Sequence, residues 1–149
     1  MSRISYIENM EDWTASFSFT HEVKVRFSET DMFGHVNNTV VFTYYEYARI
    51  EYMKALGIMI NAEDVEPTNI LVVADLQCDY IRQVYFDEIL SVYVKTASVG
   101  QSSMDLHYMV KNAKDEICYT GRGTIVQLNS QTGKGQPLLD EHKKLLLGK

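Results

Sequence analysis

The sequence predicts an α+β fold, a single antiparallel β-sheet wrapped around one long central α-helix. Three features carry this expectation. Residues 39–56 form a long run without proline or glycine, ended by Gly57. Several separate segments alternate apolar and polar residues with a period of two, the mark of half-buried strands. Short turn sequences divide the later segments, so hairpins should join them. One sheet curved about an apolar helix is an economical way to bury that helix.

Each element has its own justification. From His21, Val23, Val25 and Phe27 alternate with Glu22, Lys24 and Arg26, which reads as the first strand. In the run from Thr39 to Leu56, Val41, Tyr45, Ala48, Tyr52 and Ala55 fall on one helical stripe. Its other faces still carry Val40, Phe42, Tyr44, Tyr47, Ile50 and Met53, the pattern of a helix buried on all sides. Gly57 is a natural C-cap. A polar connector follows. Alternation returns at Val72–Tyr80, Leu90–Thr96, Met104–Val110 and about Ile117–Leu128, with turn sequences at 99–101 and 112–115. Consecutive strands are expected to be neighbours. Pro137 opens a short helix over about 137–147, acidic early and basic late, as the helix dipole favours.

We read residues 1–149 as a single domain, with 1–16 as an N-terminal extension whose Tyr6 and Trp13 pack on the body. The 149 residues suit one core. With Lys+Arg 14 and Asp+Glu 20, the formal charge is 14 − 20 = −6. That disfavours a nucleic-acid partner or an anionic membrane surface, since both require a basic face. No apolar run is long enough to span a membrane. Cys78 and Cys118 make neither a disulfide framework nor a metal motif, and read as small core residues. A cytoplasmic location is expected.

The densest polar chemistry lies between the first strand and the long helix. Asp31, Gly34, His35, Asn37 and Asn38 are crowded together, and Glu46 follows two turns into the helix. Gly34 admits backbone conformations closed to other residues. Asn37 or Asn38 suits a helix N-cap. The unpaired N–H groups and partial positive charge at a helix start can hold an oxyanion. There is no metal-ligand cluster, no G-x-S-x-G sequence and no Cys–His arrangement for a covalent route.

The stretch Phe27-Ser28-Glu29-Thr30-Asp31-Met32-Phe33-Gly34-His35-Val36-Asn37-Asn38, followed by Tyr44-Tyr45-Glu46-Tyr47-Ala48-Arg49, resembles the signature of hotdog-fold acyl-CoA thioesterases, within the 4-hydroxybenzoyl-CoA thioesterase-like group. The resemblance implies a hotdog fold and a hydrolase that splits an acyl-CoA thioester, a fatty-acyl one included, into carboxylic acid and free CoA. It implies no cofactor beyond the CoA carried by the substrate. It places the catalytic carboxylate on Asp31 and the oxyanion-binding N–H near Asn38. It also implies a homodimer or homotetramer in which two protomers share the site. The hairpin Val99-Gly100-Gln101-Ser102-Ser103 is similar to one of the family's, which makes Ser102 and Ser103 candidates for substrate binding. Glu29 and Thr30 depart from the common pattern, and His35-Val36-Asn37-Asn38 is the form of several fatty-acyl enzymes. Both departures weigh against an aryl substrate more than against thioesterase chemistry.

Beside these expectations stand plainer ones. Asp31 could cap its own loop, His35 could be structural, Asn37 and Asn38 could only cap the helix, and Glu46 could pair with Arg49 one turn on. Arg82, Lys95 and Arg122 are the candidates for a basic groove that holds CoA. Two other functions stay open from sequence: a non-catalytic acyl-CoA-binding or sensing module, and a thioesterase acting on acyl-carrier-protein thioesters. The pairing edge expected for a dimer is the apolar strand Ile70–Ile81.

Overall fold

A computed structural model describes residues 4–58 and 69–149. In chain order the elements are α1 (Met10–Ala15), β1 (Phe19–Lys24), α2 (Val40–Leu56), β2 (Asn69–Tyr80), β3 (Ile89–Val99), β4 (Ser103–Lys111), β5 (Ile117–Asn129) and α3 (Asp140–Leu146). The five strands form one antiparallel sheet in the order β1-β3-β4-β5-β2. The sheet curves around α2, which is the hotdog arrangement. The long helix ends at Gly57 in the left-handed conformation, φ 78°, with its N–H bonded back to Lys54 and Met53. The polar connector expected after Gly57 falls mostly outside the described residues.

The strand order corrects one expectation. β3, β4 and β5 are joined by hairpins as their turn sequences predict, but β2 does not lie beside β3. It pairs with β5 along nearly its whole length, from Asn69↔Asn129 to Tyr80↔Tyr119. The connector 81–88 therefore carries the chain back across the end of the sheet. A strand's partner is fixed by long-range contacts, which local periodicity does not report. β2 and β1 are left as the two edges.

Alternation along β4 places Met104, Leu106, Tyr108 and Val110 under α2, where Tyr45 stacks on Tyr108 with ring centroids 4.5 Å apart. Tyr45 fits only because its neighbour on β5 is Gly121. A Cβ there would lie 2.5 Å from the Tyr45 ring and 2.7 Å from the Gln77 carbonyl. The opposite face of β4 is also covered. His107 and Met109 are buried beneath the N-terminal segment, with Ile4, Ile7 and Trp13 packed over them. Trp13 and Tyr6 thus pack on the body, and the short helix α1 that carries Trp13 is capped by Asn9, whose Oδ1 accepts from the Asp12 N–H at 3.0 Å.

The central helix is not buried all round. Val41, Tyr44, Tyr45, Ala48, Tyr52 and Met53 face the sheet, whereas Glu46, Tyr47, Ile50 and Ala55 are exposed. Among the described residues of a single chain, one side of this apolar helix is left uncovered. β2 is likewise exposed at Ile70 and Val73. Among the described residues, no helix is long and apolar enough to cross a membrane.

Candidate active site

The loop from Thr30 to Asn38 is held at both ends by backbone bonds. Asn37 donates to the Glu29 carbonyl and Val36 to the Val84 carbonyl, each at 2.8 Å. Glu29 is itself clamped, since its carboxylate accepts from the Arg26 N–H at 2.8 Å and the Tyr44 hydroxyl at 3.0 Å. Within the loop, the Asp31 N–H bonds the His35 carbonyl at 2.8 Å and Gly34 donates to the Asp31 carbonyl at 3.1 Å. Gly34 sits at φ 81°, a left-handed conformation the turn requires, and nothing lies within 4 Å of where a Cβ would be.

Asp31 caps this loop, and the bonding leaves one oxygen over. Oδ1 accepts the N–H groups of Phe33 at 2.9 Å and His35 at 3.2 Å. Among the described residues no donor meets Oδ2. The His35 ring lies edge-on to Tyr85 at 5.1 Å, beside Phe33. Asn37 turns away to the chain: its Oδ1 accepts from the N–H and hydroxyl of Thr39, at 3.2 and 3.1 Å. The helix N-cap is Thr39 rather than Asn37 or Asn38, because the Asn37 side chain closes a turn just before the helix. The Asn38 N–H has no acceptor among the described residues, and its carbonyl accepts the Tyr80 hydroxyl at 2.6 Å.

These groups surround a cavity of about 390 Å³ lined by Asp31, His35, Val36, Asn38, Tyr80, Ile81, Arg82, Gln83, Val84 and Tyr119. Four residues singled out in the sequence thus share one cavity: Asp31, His35, Asn38 and Arg82. Arg82 also pairs with Glu116 at 3.4 Å. Tyr80 and Tyr119 were not foreseen. As members of an alternating strand they look like any other half-buried aromatic, and only the pairing of β2 with β5 brings them here.

Other candidates lie elsewhere in the chain. Glu46 lines a separate cavity of about 200 Å³ between α2 and β2, with Arg49, Ile50 and Val73 on its walls, and faces Arg49 at 3.9 Å. Ser102 and Ser103 lie in the β3–β4 hairpin, at the opposite end of β4 from the residues beside Tyr119. At strand rise that is roughly 25 Å from the Asp31 cavity. Lys95 and Arg122 do not join Arg82 in a groove. Lys95 lies over the rings of Trp13 and Phe17, at 5.7 and 5.2 Å, and burial lowers its ammonium pKa. Arg122 bonds Asp105 at 2.6 Å and Asp75 at 3.1 Å, on the face of the sheet away from α2. Their strand positions suggested one groove, but their side chains are spent on local partners. Among the described residues, no group of three or more His, Cys, Asp or Glu could hold a metal ion.

A loop carboxylate and a helix start facing one cavity, under a sheet curved about the helix, define a class that comparison with known proteins identifies. The sequence profile of the thioesterase-like superfamily matches residues 25–146, and the chain belongs to that superfamily. Uncharacterized protein YsmA of Bacillus subtilis is 47% identical over 137 residues, which cover 92% of this chain and 90% of that protein. Among solved structures, a predicted thioesterase from Bacillus stearothermophilus is 28% identical with a TM-score of 0.77, covering 87% of this chain and 94% of its own. A DHNA-CoA thioesterase from Staphylococcus aureus is 26% identical with a TM-score of 0.74, covering 80% and 79%.

Proposed function

We propose that this protein hydrolyses acyl-CoA thioesters to a free carboxylic acid and CoA. The observation that carries the reading is that one cavity is lined by both Asp31, with an oxygen that meets no donor among the described residues, and Asn38, with an N–H that meets no acceptor among them. Hydrolysis of an activated ester needs a base, alignment and a place for the oxyanion. Asp31 Oδ2 takes a proton from water as that water attacks the thioester carbonyl. The carbonyl oxygen, gaining charge, is held by the Asn38 N–H and the positive end of α2. Collapse of the tetrahedral adduct breaks the C–S bond, and the thiolate of CoA leaves and takes up the proton. A nucleophilic version, in which Asp31 attacks and water then opens a mixed anhydride, uses the same two groups. His35 borders the attack site and orients water or substrate. Arg82 lines the same cavity, and we assign it the phosphates of CoA, for which it would exchange its pairing with Glu116. The name of the Staphylococcus aureus relative supports a CoA thioester as the substrate class.

Glu46 enters this reading through a second copy. The open side of α2 and the exposed edge β2 supply a surface for pairing, and an isologous pair brings each protomer's residues to the other's site. We place the active form as a homodimer or larger homo-oligomer in the cytoplasm, where Cys78 and Cys118 stay reduced. The test is hydrolysis of a panel of acyl-CoAs differing in acyl group, followed by free-thiol release. Turnover of at least one, well above the uncatalysed rate, is expected. Binding of acyl-CoA with no release of thiol would make the protein an acyl-CoA-binding module instead.

A further inference from the structure

We propose that Tyr80 is a positioning residue for the oxyanion donor, an inference that rests on the thioesterase reading above. The Asn38 N–H can stabilise a developing charge only if its direction is fixed before the reaction. That direction depends on the two peptide units flanking the Asn38 Cα. The unit before it, which carries the N–H, is tied through the Asn37 carbonyl, which accepts from the Val40 N–H at 2.9 Å. The unit after it is tied through the Asn38 carbonyl, which accepts from the Tyr80 hydroxyl at 2.6 Å. With both units held, φ and ψ of Asn38 are restrained, and so is the direction of its N–H beside the cavity that Asn38 lines.

The first tie is part of the helix start and forms wherever α2 forms. The second is different in kind. It comes from the far end of an edge strand, reaching across 42 positions of sequence, and it lands on Asn38, whose N–H has no acceptor among the described residues. Tyr80 is itself seated. It pairs with Tyr119 in the sheet, and the two rings meet edge to face at 5.8 Å. Its hydroxyl remains a neutral donor across the working pH range, because burial, with Cys78 beside it, pushes its pKa up to about 12.

Tyr80→Phe keeps the ring and its contact with Tyr119 and removes only the tie. Steady-state hydrolysis of the best acyl-CoA, thermal midpoint and the backbone amide NMR shift of Asn38 are measured side by side for wild type and variant. Expected is a loss of about tenfold in kcat, with KM within twofold, an unchanged midpoint and a displaced Asn38 amide signal. A kcat within twofold of wild type overturns the proposal. So does a fall in kcat matched by a lower midpoint, since that is the mark of a structural contact. If wild type releases no thiol from any acyl-CoA, the thioesterase reading fails and this one with it, whereas active wild type with fully active Tyr80→Phe removes Tyr80 alone.

Discussion

Asp31 and His35 are joined twice across one turn: the Asp31 N–H bonds the His35 carbonyl at 2.8 Å, and the His35 N–H bonds Asp31 Oδ1 at 3.2 Å. The same oxygen accepts from Phe33. Capping the loop and serving as a base are therefore not rival roles for Asp31, because they use different oxygens. Asp31→Ala removes the acceptor for two backbone N–H groups, whereas Asp31→Asn retains an oxygen that can accept both. The alanine variant should lose about 1 kcal/mol more stability than the asparagine variant, the low end for unsatisfied donors because the loop is partly exposed. Denaturant unfolding of the two variants checks this, and equal midpoints would remove the capping role.

Glu46 and Asp31 line different cavities in one chain, so a shared role requires two chains. Glu46 is exposed and only loosely paired with Arg49, and Glu46→Gln should change stability by less than about 0.5 kcal/mol. Its effect on turnover should be smaller than that of Asp31→Asn. Complementation reads the assembly directly. When Asp31→Asn and Glu46→Ala proteins are unfolded and refolded together, mixed dimers carry one site with both native residues. Activity above that of either variant refolded alone is expected, and no gain would place Glu46 outside the site.

His107 predicts a pH dependence of stability. The Trp13 indole N–H donates to its Nδ1 at 2.9 Å, so Nδ1 carries no proton, and Nε2 faces Asp105 at 3.4 Å. Burial lowers the His107 pKa in the folded state, with Lys95 and Arg122 adding to the shift and Asp105 opposing it. The unfolded chain then binds this proton more readily than the folded one. The stabilisation is present above the unfolded value of about 6.5 and is lost as pH falls through the folded value. The thermal midpoint should decline on acidification from about pH 7, with a parallel change in fluorescence from Trp13, the single tryptophan. His107→Gln should flatten both responses in this range. An unaltered pH profile in that variant would assign the effect to other groups.

Much of the fold was legible because its signals are local. Alternation located every strand of the sheet to within a few residues, and Gly57 marked the end of α2 where the left-handed cap lies. The crowding of Asp31, His35 and Asn38 on one cavity was legible for the same reason, since a short loop cannot carry them far apart. Pairings set by tertiary contacts were not legible. Val72↔Val126 decides that β2 is an edge strand beside β5, and nothing near either residue says so. The separation of Ser102 and Ser103 from Asp31 follows from strand length and direction, which resemblance alone does not report. Lys95 looked free for phosphate but is spent on Trp13 and Phe17. α1 did carry a readable signal, Asn9 three residues before Asp12, but a helix of one or two turns has too short a periodicity to stand out.

The central claim is that the oxygen of Asp31 left over from the loop is the base or nucleophile of thioester hydrolysis. Asp31→Asn preserves shape and capping but can neither take a proton from water nor attack as a carboxylate. The decisive measurement is kcat for the best acyl-CoA in wild type and Asp31→Asn, with thermal midpoints recorded on the same preparations. The account predicts a fall of about 10²–10⁴-fold in kcat, the usual size of a general-base contribution, with little change in KM or midpoint. A folded Asp31→Asn enzyme that hydrolyses the same acyl-CoA within about threefold of wild type, far inside that range, would contradict it.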